Sequence, residues 1–176
     1  MNYGHFNEKG NKFVVTSPDA PRPFDVMLFN DVCYANVHHT GIGCFDYQYP
    51  GEEGIQLFTG VGRICDYDIF GKEHLYSRLI YIRDNETGKF WTVNWEPVCA
   101  DVQEFSCTHD LGYTTIVNVT EDVTATLIIS IPPGKDAVEM WQFKVEDVNG
   151  RARDLSIFPY FQLQFKYKWG FDSYGD

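Results

Sequence analysis

From Arg78 to Pro97 the chain reads RLIYIRDNETGKFWTVNWEP. Leu79, Tyr81 and Arg83 alternate with Ile80, Ile82 and Asp84, and a period of two sends successive side chains to opposite faces of a sheet. Asn85, Glu86, Thr87 and Gly88 then carry turn chemistry, with Gly88 free to take positive φ. Phe90, Trp91, Val93 and Trp95 supply the return strand, and Pro97 stops it because proline has no N–H to give to a ladder. The stretch predicts a β-hairpin, and a chain built around it is constrained toward sheet.

The same period recurs along the sequence. Residues 12–16 predict a strand, and Pro21 and Pro23 force an extended segment after it. Residues 24–30 and 32–38 predict a strand pair around Asn30-Asp31, a turn without glycine. Thr40-Gly41-Ile42-Gly43 turns the chain into a strand over 44–49. Residues 55–75, broken by Gly60, Gly62 and Gly71, read as an irregular surface excursion. Further strands are predicted over 104–108 and 112–119. In the next, Val123, Ala125, Leu127, Ile129 and Ile131 share one face, and Thr124, Thr126 and Ser130 the other. Pro132-Pro133-Gly134 ends it, and Trp141, Phe143 and Val145 alternate with Gln142 and Lys144 beyond. Leu127, Ile129, Trp141 and Phe143 are the expected core. The last predicted strand, 155–169, carries Leu155, Ile157, Phe161, Leu163, Phe165, Tyr167 and Trp169 on one side. Ser156, Gln162, Gln164, Lys166 and Lys168 lie on the other, so one face should pack and one should meet water or another domain. No segment has a helical period. The expectation is a single all-β domain over 1–176, an antiparallel β-sandwich.

The hairpin and the opening of the chain also carry a resemblance. Tyr81 to Gly88, Trp91 and the run Trp95-Glu96-Pro97-Val98 are similar to the amino-terminal domain of the disaccharide phosphorylases, the family that acts on cellobiose, cellobionic acid and chitobiose. Tyr3-Gly4-His5-Phe6, Thr16 to Phe24 and the Thr40–Gly43 turn resemble the same family, which more often reads Asn-Thr-Ala-Gly-Gly at that turn. The resemblance implies a galactose-mutarotase-like supersandwich, incomplete at its carboxyl end, from a larger inverting phosphorylase. It places the catalytic aspartate and the phosphate-binding groups in a helical barrel that this chain lacks, so no catalytic residue and no metal ligand is assigned here. Inorganic phosphate is the implied co-substrate, with no other cofactor. The implied partners are an oligosaccharide, the barrel of the same parent chain and a second copy in a homodimer. Residues 166–176 resemble a loop near the sugar-acceptor side. Trp169, Phe171 and Tyr174 in that irregular tail are the candidate substrate-adjacent residues, because sugar C–H faces stack on aromatic rings. A free-standing carbohydrate-binding module and a purely structural dimerisation domain are the alternatives.

Charge narrows the partners. The 176 residues carry 25 acidic against 14 basic side chains, a net charge of −11. That opposes nucleic acid and anionic membrane, both of which reward clustered Lys and Arg. Five cysteines, at 33, 44, 65, 99 and 107, form no C-x-x-C pair. The first 25 residues lack the apolar run of a signal peptide, and no stretch is long enough to span a bilayer. Reduced thiols in a cytoplasmic protein are expected.

Other groupings point to chemistry less strongly. His38-His39 would be metal ligands only if both reached one face, which adjacent strand residues do not. Cys107 and His109, two apart on a strand, share a face and could make a thiol nucleophile; Cys65-Asp66 is a weaker variant. Gly41 and Gly43 open no helix and so make no phosphate loop. Glu52-Glu53, Glu121-Asp122 and Glu146-Asp147 read as solvated carboxylates beside turns.

Overall fold

A computed structural model describes residues 3–47, 55–58, 78–161 and 163–167. Fourteen strands lie among them, and no helix. In chain order they are β1 (Gly4–Phe6), β2 (Phe13–Val15), β3 (Asp25–Phe29), β4 (Cys33–His38), β5 (Gly43–Tyr47), β6 (Ile55–Phe58), β7 (Arg78–Asp84), β8 (Phe90–Thr92), β9 (Glu104–His109), β10 (Tyr113–Thr120), β11 (Val123–Ser130), β12 (Met140–Asp147), β13 (Leu155–Phe161) and β14 (Leu163–Tyr167). They form sheets in the orders β1-β2-β9-β10-β11-β12, β14-β6-β5-β4-β3 and β13-β7-β8. Every pairing is antiparallel. The expected antiparallel β-sandwich is the observed fold, and no helix of the described residues is long and apolar enough to cross a membrane.

Alternation becomes packing in the six-stranded sheet. The registers Val15↔Cys107, Cys107↔Ile116, Ile116↔Leu127 and Leu127↔Phe143 place one row of side chains across five strands on a single face. Four of these five are fully buried. The main core joins Val123, Ala125, Leu127, Ile129 and Ile131 of this sheet to Leu28, Ala35, Val37 and Phe45 of the five-stranded sheet, and to Ile80, Ile82 and Trp91 of the three-stranded one. Apolar faces of facing sheets must bury one another, and this is the sandwich solution.

Several expectations need correction. The return strand of the central hairpin stops at Thr92, because Val93 and Asn94 turn the chain. Residues 55–58 are not an irregular excursion: β6 sits between β5 and β14, while the rest of that region lies outside the described residues. Trp141 and Phe143 face the core as expected but are only half-buried, since among the described residues β12 is an edge strand with a neighbour on one side. The predicted strand over 155–169 is two strands in two sheets, β13 beside β7 and β14 beside β6. Nor is β13 apolar on one face only. Ile157 and Phe161 lie on the core-facing side, Phe158 and Tyr160 on the other, and all four are exposed. The Asn30-Asp31 turn does form without glycine, because Asn30 Oδ1 accepts from the backbone N–H of Val32 and Cys33, both at 3.0 Å.

Candidate functional site

The Thr40–Gly43 turn, flagged by resemblance, is buried throughout. Beneath it lies the Arg78 guanidinium, with a relative exposure of 0%. Arg78 Nη1 donates to the carbonyls of Asn36 (3.1 Å) and Gly41 (3.4 Å), and Nη2 to that of Cys44 (2.7 Å). Nε and Nη2 also fork onto the two carboxylate oxygens of Glu139, which accepts from the Trp141 indole as well. A planar five-donor group suits this role, since each buried carbonyl must find a donor. Gly41 (φ +79°) and Gly43 (φ +146°) let the turn close on it. A Cβ at Gly43 would stand 1.8 Å from the Asn36 carbonyl oxygen, and one at Gly41 1.8 Å from Asn94 Nδ2. The turn is a packed joint between two sheets, with no open surface for a ligand.

The two histidine groupings meet at Phe24. Its N–H donates to His39 Nδ1 (3.2 Å), so Nε2 of that ring carries the proton and donates to the Pro18 carbonyl (3.1 Å). The Phe24 carbonyl accepts from the His39 backbone N–H (2.8 Å) and from His109 Nε2 (3.1 Å), while His109 Nδ1 accepts from the Thr114 hydroxyl (3.0 Å). Burial drives the His39 pKa down to about 4 and lowers that of His109 as well. Both rings are neutral staples. Cys107 does lie 3.7 Å from His109 Nε2, but burial pushes its thiol pKa upward, the reverse of what a thiolate nucleophile needs. Among the described residues no group of three or more His, Cys, Asp or Glu could hold a metal ion. Cys33, Cys44, Cys99 and Cys107 are free thiols.

Of the carboxylate pairs, Glu121-Asp122 occupies the β10–β11 turn, whereas Asp147 is not solvated. Its carboxylate and that of Asp84 clamp Arg153, at 2.6 and 3.1 Å, with both acids nearly closed to solvent. Backbone N–H bonds and Arg153 hold both acids below the ordinary carboxylate range. Arg153 Nη2 also donates to the Glu121 carbonyl (2.8 Å), so one guanidinium ties three turns at one end of the sandwich. Sequence reading missed this knot, because Arg151-Ala152-Arg153 looks like any basic turn.

Beside the knot opens a cleft of about 430 Å³, lined by Phe90, Trp91, Val98 and Ala100, with Thr87, Lys89, Asp101 and Glu121 among its polar walls. Lys89 Nζ lies 2.8 Å from both carboxylate oxygens of Glu121. Trp91 is 1% exposed, and its indole nitrogen has no hydrogen-bond partner among the described residues. A second cleft, of about 460 Å³, is floored by Phe13 and Phe24, stacked at 5.3 Å. The outer face of the three-stranded sheet is aromatic: Tyr81 stands opposite Phe158 and Arg83 opposite Phe90, with Phe90 58%, Phe158 54% and Tyr160 46% exposed. Trp169, Phe171 and Tyr174 lie outside the described residues, as do Glu52, Glu53, Cys65 and Asp66.

Comparison with known proteins supplies a context that geometry alone does not. Residues 11–169 match the family described as glycosyl hydrolase 94, supersandwich domain. The chain is 29% identical to a solabiose phosphorylase of Paenibacillus borealis over 93% of its own length and 20% of that protein. It is 27% identical to an N,N'-diacetylchitobiose phosphorylase of Vibrio furnissii over 95% of its length and 20% of the relative. A 3-O-beta-D-glucopyranosyl-beta-D-glucuronide phosphorylase of Paenibacillus borealis is 26% identical over 92% of this chain and 19% of its own. The chain thus spans about a fifth of the curated relatives it matches. With nearly its whole length inside one family match, and the antiparallel sandwich already in place, the chain belongs to the glycosyl hydrolase 94 supersandwich domain family.

Proposed function

We propose that this chain is the amino-terminal domain of an inverting glycoside phosphorylase, which cleaves a β-linked disaccharide with inorganic phosphate. The observation that carries the reading is the match over residues 11–169 to a domain of phosphorylases about five times longer. Catalysis belongs to a helical barrel in the remainder of such an enzyme, and no residue of this chain acts on the glycosidic bond. The aromatic outer face of β7, β8 and β13 supports the reading, since exposed apolar patches on a sandwich mark surfaces that another domain or subunit covers. In the whole enzyme that face serves barrel packing and dimerisation, and the tail with Trp169, Phe171 and Tyr174 borders the acceptor sugar. The acidic balance and free thiols fit a cytoplasmic enzyme with no nucleic-acid or membrane partner.

The test is phosphorolysis. Cellobiose and N,N'-diacetylchitobiose are incubated with phosphate and either the 176-residue chain or a protein that continues it through a barrel. Sugar 1-phosphate should appear only with the longer protein. Its release by this chain alone would overturn the assignment of catalysis to a barrel.

A further inference from the structure

We propose that the cleft between the β7–β8 and β10–β11 turns is a saccharide-binding site that takes a neutral pyranose or short oligosaccharide. At about 430 Å³ it falls within the roughly 300–1,000 Å³ usual for small-ligand sites. Its lining alternates in the way a pyranose does. Phe90, Val98 and Ala100 offer apolar contact for C–H faces, while Thr87, Lys89, Asp101 and Glu121 offer hydrogen bonds for hydroxyls.

Charge selects among ligands. Lys89 and Glu121 neutralise each other across the cleft wall, which leaves the exposed Asp101 carboxylate without an ion-pair partner among the described residues. A phosphate or carboxylate ligand would be repelled, whereas a hydroxyl can donate to that carboxylate. Trp91 borders the cleft, but its indole N–H is buried toward the core, without an acceptor among the described residues.

The turns that carry the walls are held by specific contacts. Among the described residues, the non-glycine positions with positive φ are Trp95 (70°), Cys99 (53°), Glu121 (53°) and Asp122 (60°). Cys99 stands between the lining residues Val98 and Ala100, and Glu121-Asp122 are the two central residues of the β10–β11 hairpin, a turn that takes positive φ at both positions. Left-handed backbone is unfavourable for such residues and persists where its surroundings enforce it. Those surroundings are visible. Arg153 grips the Glu121 carbonyl, Gln103 exchanges two side-chain bonds with Asp122, and the Trp95 indole donates to the Ala100 carbonyl (3.1 Å).

The choice of a sugar among neutral polyols rests on the phosphorylase reading above; the preference for a neutral ligand rests on the charge alone. The test is an NMR titration of the ¹⁵N-labelled 176-residue chain with cellobiose, with cellotetraose and with inorganic phosphate. The indole resonances are assigned by replacing Trp95, Trp141 and Trp169 with Phe in turn, which leaves Trp91 by elimination. Cellobiose or cellotetraose should shift the Trp91 indole N–H and the Lys89 and Asp101 amides, and phosphate should not. Asp101→Asn and Phe90→Ala, both at exposed positions, should weaken binding by up to about tenfold without moving the thermal midpoint. Resonances unmoved by either sugar, an equal response to phosphate, or unchanged affinity in both variants would each overturn the site. None of those results touches the phosphorylase reading, which release of sugar 1-phosphate decides separately.

Discussion

Phe24 shows how much one backbone unit can gather. Two neutral imidazoles from different sheets hold its N–H and its carbonyl, and His39 is the more perturbed of them. Protonation would place a second N–H where Nδ1 now accepts, in a site that burial has stripped of water; Asp25 offsets this only in part. The folded pKa lies below the unfolded value, so the unfolded chain binds the extra proton first. Stability from the neutral ring is complete above about pH 6.5 and is lost as the pH falls toward about 4. By about pH 5 the loss should reach roughly 2 kcal/mol. Urea midpoints of the wild type and His39→Gln near pH 7 and near pH 5 check this, since glutamine keeps an acceptor and cannot titrate. The wild type should fall further between the two conditions, and parallel falls would mean that His39 is not the group responsible.

Strands are the scale at which the sequence was most readable. Strict alternation over 123–131 survived intact, because a two-residue period leaves a sheet only one face to bury, whereas the return strand of the hairpin ended early, at Thr92. What alternation cannot report is a strand's place in its sheet. Leu127 and Phe143 stand directly opposite each other on one face, yet Leu127 is central and fully buried while Phe143 is on the edge strand β12. Leu127→Ala should therefore cost about 3 kcal/mol or more through lost transfer energy and a cavity closed on all sides. Phe143→Ala, despite deleting more atoms, should cost less than the larger-side-chain average of roughly 3–5 kcal/mol, because water can enter where the ring stood. Urea unfolding of the two variants decides the order, and a greater loss for Phe143→Ala would place β12 in the interior of its sheet. The site residues were less legible for a similar reason. Arg78 sits where a strand begins and reads as a surface charge, and only the folded register brings Glu139, 61 residues away, beneath it. Glu121 and Lys89, 32 residues apart, meet across turns that no local pattern pairs.

The whole molecule combines a closed core with an open flank. The main core draws on all three sheets, so the sandwich is internally satisfied, yet β13 presents Ile157, Phe158, Tyr160 and Phe161 on both of its faces. Phe161 meets Trp141 edge to face at 6.2 Å, which extends the apolar surface from β13 toward the edge strand β12. Beyond β7, β13 has no second neighbour in its sheet among the described residues, and a strand edge with adjacent aromatic side chains favours association with a further chain. The net charge of −11 opposes close approach of two copies, but only over a distance of about 8–10 Å at moderate ionic strength. The isolated chain should therefore self-associate, and more strongly as salt screens that repulsion. Sedimentation velocity over a range of protein and salt concentrations reads this directly. Phe158→Ser combined with Tyr160→Ser removes two exposed rings from the outer face and should return the chain to a monomer at the same thermal midpoint. A chain that sediments as a monomer throughout, or a double variant that associates as strongly as the wild type, would show that this face is not the adhesive one.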